Sequence, residues 1–126
     1  MKRSKSKEID CPVAYGEYSL PQQKQRQVSA AIGRDVVPIS KMFDILSDPV
    51  RLHILLALAV QELCVCVLVE ITDYKYSAIS YHLKLLKERE FIDSRREGTF
   101  LLYRLPGRGK AALDMIANFL KIIIEI

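Results

Sequence analysis

The chain has no tryptophan and, in 126 residues, only five glycines, five prolines, three cysteines and two histidines. Such sparse Gly and Pro exclude collagen-like and low-complexity chains. An odd number of cysteines excludes a fully paired disulfide framework, and there is no Cys-x-x-Cys pair to form a dithiol redox centre. Glycine-rich phosphate loops and a His-acid pair beside a nucleophile are also missing, which argues against a small thiol enzyme or metal carrier. His53 has no His, Cys or acid one helical turn on, so it reads as a surface or core-edge side chain. No apolar run approaches the roughly 18–20 residues that cross a bilayer. The basic start is not followed by an apolar segment and a small-residue cleavage site, so a cytoplasmic location and no membrane partner are expected.

What remains is the composition of one mainly helical globular domain: 50% hydrophobic and 27% charged residues. The net charge of +4 is local. Lys2, Arg3, Lys5 and Lys7 supply it, and the other residues carry 15 basic and 15 acidic side chains. An anionic partner must therefore be met by a local patch or by this tail. Residues 1–19, with Pro12, Gly16 and Cys11, lack a steady period and are expected to form a flexible basic arm ahead of a domain at 20–126.

Hydrophobic periodicity marks a series of helices. PQQKQRQVSAAIGR carries a narrow stripe of Val28, Ala31 and Ile32, and PISKMFDILSD repeats apolar residues at Ile39, Met42, Phe43 and Leu46. Ser47-Asp48 before Pro49 forms a cap-and-proline start for PVRLHILLALAVQ, which is apolar nearly all round. A third short helix is expected from Glu62 to Ile71, carrying Cys64 and Cys66 in the run ELCVCVL. After a polar break, SAISYHLKLLKERE sets Ser77, Ser80, Tyr81, Lys84 and Glu88 against Ile79, Leu83 and Leu86 across a helical wheel.

FIDSRR and TFLLYRL, joined by a turn at Glu97-Gly98, then read as a β-hairpin with Arg95 and Arg96 at its neck. Two short helices, a turn and a basic hairpin compose a winged helix-turn-helix. In that fold the second helix enters the major groove of duplex DNA and the wing meets a neighbouring phosphate strand. Candidate contacts are Ser77, Ser80, Tyr81 and Lys84, with His82 at the edge of the polar face and Arg95 and Arg96 on phosphate. The last helix, in GRGKAALDMIANFLKIIIEI, is too apolar to stay uncovered and lacks the basic face of a membrane-surface helix. Because two-fold dimers read paired half-sites, the helices at about 21–33 and 107–126 are expected to form a homodimer interface.

The thiols admit three readings: small buried side chains, redox-sensitive groups, or ligands for a soft ion. On a regular helix residues i and i+2 point about 200° apart, so Cys64 and Cys66 converge on one ion only if the first turn loosens. A helix amino terminus favours the thiolate form that binds metal.

KMFDILSDPVRLHILLAL, ELCVCVL and SAISYHLKLLKEREFIDSRREGTFLLYRL together resemble the ArsR/SmtB family of metal- and metalloid-responsive winged-helix repressors, over residues 38–105. The resemblance implies a homodimer that binds palindromic operator DNA without a cofactor and lets go when an inducer binds. The cysteine pair resembles that of arsenic-, antimony- and cadmium/lead-responsive members, which implies a thiophilic ion at Cys64 and Cys66 with Cys11 as a third donor. Three positions depart from the family pattern. Val67 stands where an acid is usual, Tyr81 stands where a basic residue is common, and the last helix has no histidine for the zinc site some members build there. A thiol redox sensor of the same fold, a metal-independent DNA-binding regulator and an interaction module without DNA binding are the alternatives.

Overall fold

The computed structural model describes residues 9–10 and 19–124, so Cys11 and most of the basic arm lie outside the described residues. The chain divides into two compact units, Met1–Pro38 and Ile39–Ile126. In the first, β1 (Ile9–Asp10) pairs antiparallel with β2 (Ser19–Leu20), and α1 (Gln22–Ile32) follows Pro21. Gly33 closes α1 at φ −72°, so the helix ends without using glycine's left-handed freedom. The Asp35 carboxylate accepts from the Val37 N–H at 3.1 Å and starts α2 (Val37–Leu46).

In the second unit α3 (Pro49–Val60) begins as its sequence requires. Asp48 stands in extended backbone, and its carboxylate accepts from the N–H groups of Val50 and Arg51, while Pro49 needs no such partner. Ser47 does not share the cap; its hydroxyl donates to the Asp44 carbonyl at 2.8 Å. Only Ile54, Leu55 and Leu58 of α3 are buried; Leu56 and Val60 are exposed, so the nearly all-round apolar helix is covered on one side.

Cys64 departs from the expected helix at 62–71. Leu63–Cys64 form β3, and α4 runs only from Val65 to Thr72. The reason is non-local: β3 pairs antiparallel with a strand some forty residues away, and helical periodicity carries no information about such a partner. That strand is β5 (Phe100–Arg104), which also pairs with β4 (Asp93–Glu97), giving the sheet order β3-β5-β4. Gly98-Thr99 connects β4 and β5, and Gly98 at φ +60° supplies the positive φ of a two-residue hairpin turn.

Between α4 and the hairpin lies α5 (Tyr76–Glu88), with Ile79, Leu83 and Leu86 fully buried on its inner face. Each such side chain stabilises the fold by about 1.5–3 kcal/mol relative to exposure. The helix ends in a Schellman motif: Phe91 N–H donates to the Leu86 carbonyl and Glu90 N–H to that of Lys87, with Glu90 at φ +64°. Phe91 and Ile92 then enter the core. The last helix, α6 (Gly107–Ile124), buries Ala112 and tucks Leu113, Met115 and Ile116 against the same core. The architecture is mainly α with a β-hairpin, a winged helix-turn-helix. Among the described residues no helix is long and apolar enough to cross a membrane.

Candidate nucleic-acid interface and thiol pair

Burying one face of α5 leaves the other outward, and Ser77, Ser80, Tyr81 and Lys84 are all exposed there. Tyr76, the first residue of the helix, is exposed as well. It lies near Tyr103 of β5, where burial first and the neighbouring Tyr76 phenol second push the Tyr103 hydroxyl above its usual range. Lys87 Nζ donates to Ser94 Oγ at 2.6 Å, so the outer side of α5 is tied to the root of the wing.

His82 sits differently from its neighbours on this helix. Its side chain is 12% exposed, its Nδ1 lies 2.9 Å from Arg51 Nη1, and its Nε2 lies 3.8 Å from Asp48 Oδ1. The Tyr81 ring meets it edge-on at a centroid distance of 5.1 Å. Arg51 also donates through Nε to the Ile45 carbonyl and through Nη2 to that of Asp44. A second tie, from Tyr74 Oη to His53 Nδ1 at 2.8 Å, joins the turn before α5 to α3. Sequence reasoning read Asp48 and Arg51 only as parts of the helix start; Arg51 lies 31 residues from His82 and shares no local pattern with it.

On the wing, the two arginines part ways because adjacent strand residues face opposite sides. Arg95 bonds Glu62 Oε1 at 2.8 Å and Glu97 Oε2 at 3.0 Å, and the Glu62 hydrogen bond and charge raise the arginine's pKa further. Arg96 is exposed, opposite Leu101 in the ladder. The aromatic tip residue Phe100 is exposed too.

The thiol pair lies at the foot of the same sheet. Cys64 pairs with Leu102 of β5, is half-buried, and stands in extended backbone at φ −85°, ψ 163° as the residue just before α4. Cys66 is exposed in the first turn of α4, and both thiols are free. The two therefore do not share a helix, and the 200° divergence of a regular helix does not apply to them. Among the described residues no group of three His, Cys, Asp or Glu side chains converges as a metal site; the third expected donor, Cys11, lies outside them. Glu62, two residues before Cys64, makes the ion pair to Arg95. Sheet pairing and ion pair together make the segment carrying the first thiol a part of the wing.

Residues 48–94, from the cap of α3 to the wing's first strand, match the family described as "Bacterial regulatory protein, arsR family". An arsenical resistance operon repressor of Staphylococcus xylosus is 36% identical over 85 residues, covering 68% of this chain and 79% of that one. The chain belongs to the ArsR family. Another relative, the transcriptional repressor SmtB homolog of a Synechocystis strain, is 35% identical over 86 residues, a match that covers 68% of this chain and 65% of that one. Among solved structures, the homodimeric winged helix-turn-helix DNA-binding domain of Mb0332 from Mycobacterium bovis, a possible ArsR-family regulator, superposes with a TM-score of 0.57. It is 29% identical, covering 66% of this chain and 77% of that one. The ArsR match begins at Asp48 and takes in Arg51, both thiols and His82.

Proposed function

We propose that this ArsR-family chain is a homodimeric transcriptional repressor that releases operator DNA when a thiophilic ion binds Cys64 and Cys66, with Cys11 as third donor. Residues 20–126 serve as the DNA-binding domain and the basic arm at 1–19 adds phosphate contacts. The exposed face of Ser77, Ser80, Tyr81 and Lys84 enters the major groove, and Arg96 meets backbone phosphate. Arg95 does so by exchanging Glu97, its outer partner, for phosphate.

The observation that carries the sensing half is the position of Cys64 between β5 and α4. Two free thiols are soft donors and suit arsenite, antimonite, cadmium or lead better than hard cations. Each sulfur gives up a proton on binding. Drawing Cys64 towards Cys66 works against the β3–β5 pairing on one side and the start of α4 on the other. The ion thereby favours a wing and α5 geometry different from the one that fits the groove, and this difference in affinity between the two states shifts the equilibrium.

The test is a gel-shift on the duplex upstream of the protein's own coding sequence, titrated in parallel with arsenite, antimonite, cadmium, lead, zinc and diamide. Release is expected with at least one soft ion. Cys64→Ser and Cys66→Ser should each retain DNA binding and lose that response. Release that persists in the double variant contradicts the thiol site, and release by diamide with reversal by reductant assigns the thiols to redox sensing instead.

A further inference from the structure

The contact between Arg51 and His82 carries a consequence for DNA reading that rests on the proposed function above. A guanidinium has only donors, so at 2.9 Å the facing Nδ1 of His82 must be an acceptor. The bond thus requires the Nε2–H tautomer, with the ring proton on the side of Asp48. Arg51 is itself fixed by the carbonyls of Asp44 and Ile45 at the end of α2, and its backbone N–H donates to the Asp48 carboxylate. One bond thus anchors the middle of α5 to the α2–α3 corner. The residue next to it, Tyr81, belongs to the exposed face and touches the His82 ring.

We propose that Arg51 and His82 are positioning residues for operator binding: their bond holds α5 at the angle that fits the groove, and protonation of His82 breaks it. A protonated ring would set an Nδ1–H donor against the Arg51 donor, and one positive charge against another. Among the described contacts, the charged and titratable groups facing His82 are Arg51 and Asp48 from α3 and its cap, and Tyr81 from α5 itself. Asp48 stays ionised throughout the range in which histidines titrate, since its pKa is held below 3.8. Its carboxylate would then compete with Arg51 for the protonated ring.

The experiment measures the affinity of the full chain for the labelled upstream duplex between pH 8 and pH 5.5 at fixed salt, with wild type, His82→Asn and His82→Ala. Asparagine places an oxygen acceptor near the Nδ1 position and does not titrate. His82→Asn serves as the non-titrating reference, and each protein is read against its own affinity at pH 8. Relative to it, wild type should lose about tenfold on acidification, the scale of one hydrogen bond to a charged group. His82→Ala should be weaker at both ends, with its fold checked by circular dichroism. Nitrogen-15 NMR of the free protein at pH 8 should show His82 as the Nε2–H tautomer, a readout independent of DNA. Parallel pH profiles for wild type and His82→Asn, or an Nδ1–H tautomer, overturn the inference while leaving the DNA-binding reading intact. Absence of salt-dependent duplex binding by wild type overturns that reading and the inference with it.

Discussion

Asp48 performs two jobs with one carboxylate, and the balance of forces on it sets a pH dependence. Burial acts to raise its pKa, but N–H donation from Arg51 and Val50 and the positive charge of Arg51 outweigh that, holding it below its ordinary 3.8. A carboxyl with a depressed folded-state pKa binds fewer protons folded than unfolded. Its stabilisation is therefore complete above about pH 4 and is lost as pH falls through the lower folded value. Asp48→Asn should keep the cap at pH 7 yet flatten the loss of stability below pH 3.8. Asp48→Ala should cost about 1 kcal/mol by urea unfolding at pH 7, the usual loss of a helix cap. Glu90 offers the opposite case. It holds the left-handed position of a Schellman motif, at φ +64°, where a side chain costs about 1–2 kcal/mol and glycine is the usual occupant. Glu90→Gly should therefore raise the urea midpoint by an amount equivalent to about 1 kcal/mol. An unchanged midpoint would mean that the Glu90–Arg108 approach of 3.7 Å offsets the strain.

At the scale of elements, what could be read from the sequence depended on whether the signal was local. The cap at Asp48 and the two faces of α5 are each written within a few residues, and each is where capping chemistry or periodicity placed it; the hairpin turn, expected at Glu97-Gly98, falls one residue later at Gly98-Thr99 because Glu97 pairs with Phe100. β3 was taken for helix because its partner is Leu102–Tyr103 of β5, remote in sequence. His82 was read as a packing or phosphate contact, and its edge position on the wheel says nothing of an arginine 31 residues earlier. Gly109 carried no signal at all, yet it decides how α6 meets the core. A Cβ there would lie 2.0 Å from the Phe91 carbonyl oxygen and 3.0 Å from Leu105 Cδ2. Gly109→Ala should thus destabilise by about 1–3 kcal/mol, because backbone cannot yield as a flexible side chain can, even though alanine is the better helix former by about 1 kcal/mol. Gly107→Ala, with nothing within 4 Å, is the control and should be neutral or slightly stabilising in the same thermal melts.

At the scale of the whole molecule, the unfinished feature is the apolar end of α6. Phe119, Leu120, Ile122 and Ile123 are 39–65% exposed, and because they are nearly consecutive they point to several sides of the helix. In the first unit α1 likewise leaves Val28 and Ile32 exposed. Exposed large apolar side chains in this number are what an interaction surface supplies. A second copy of the chain is the economical choice, since a reading helix that meets one half-site gains a two-fold related half-site only through a dimer. The Mycobacterium bovis domain with the same fold is homodimeric. Ile123→Glu together with Phe119→Glu should therefore shift the protein from dimer to monomer in sedimentation velocity and weaken binding to the upstream duplex. Because both side chains are exposed in the single chain, far-UV circular dichroism should be unchanged. The wild-type melting temperature should rise with protein concentration and that of the variant should not, since only association makes stability depend on mass action. A variant that stays dimeric would move the interface away from α6, and then the apolar end of this helix would have to be covered by a different molecule.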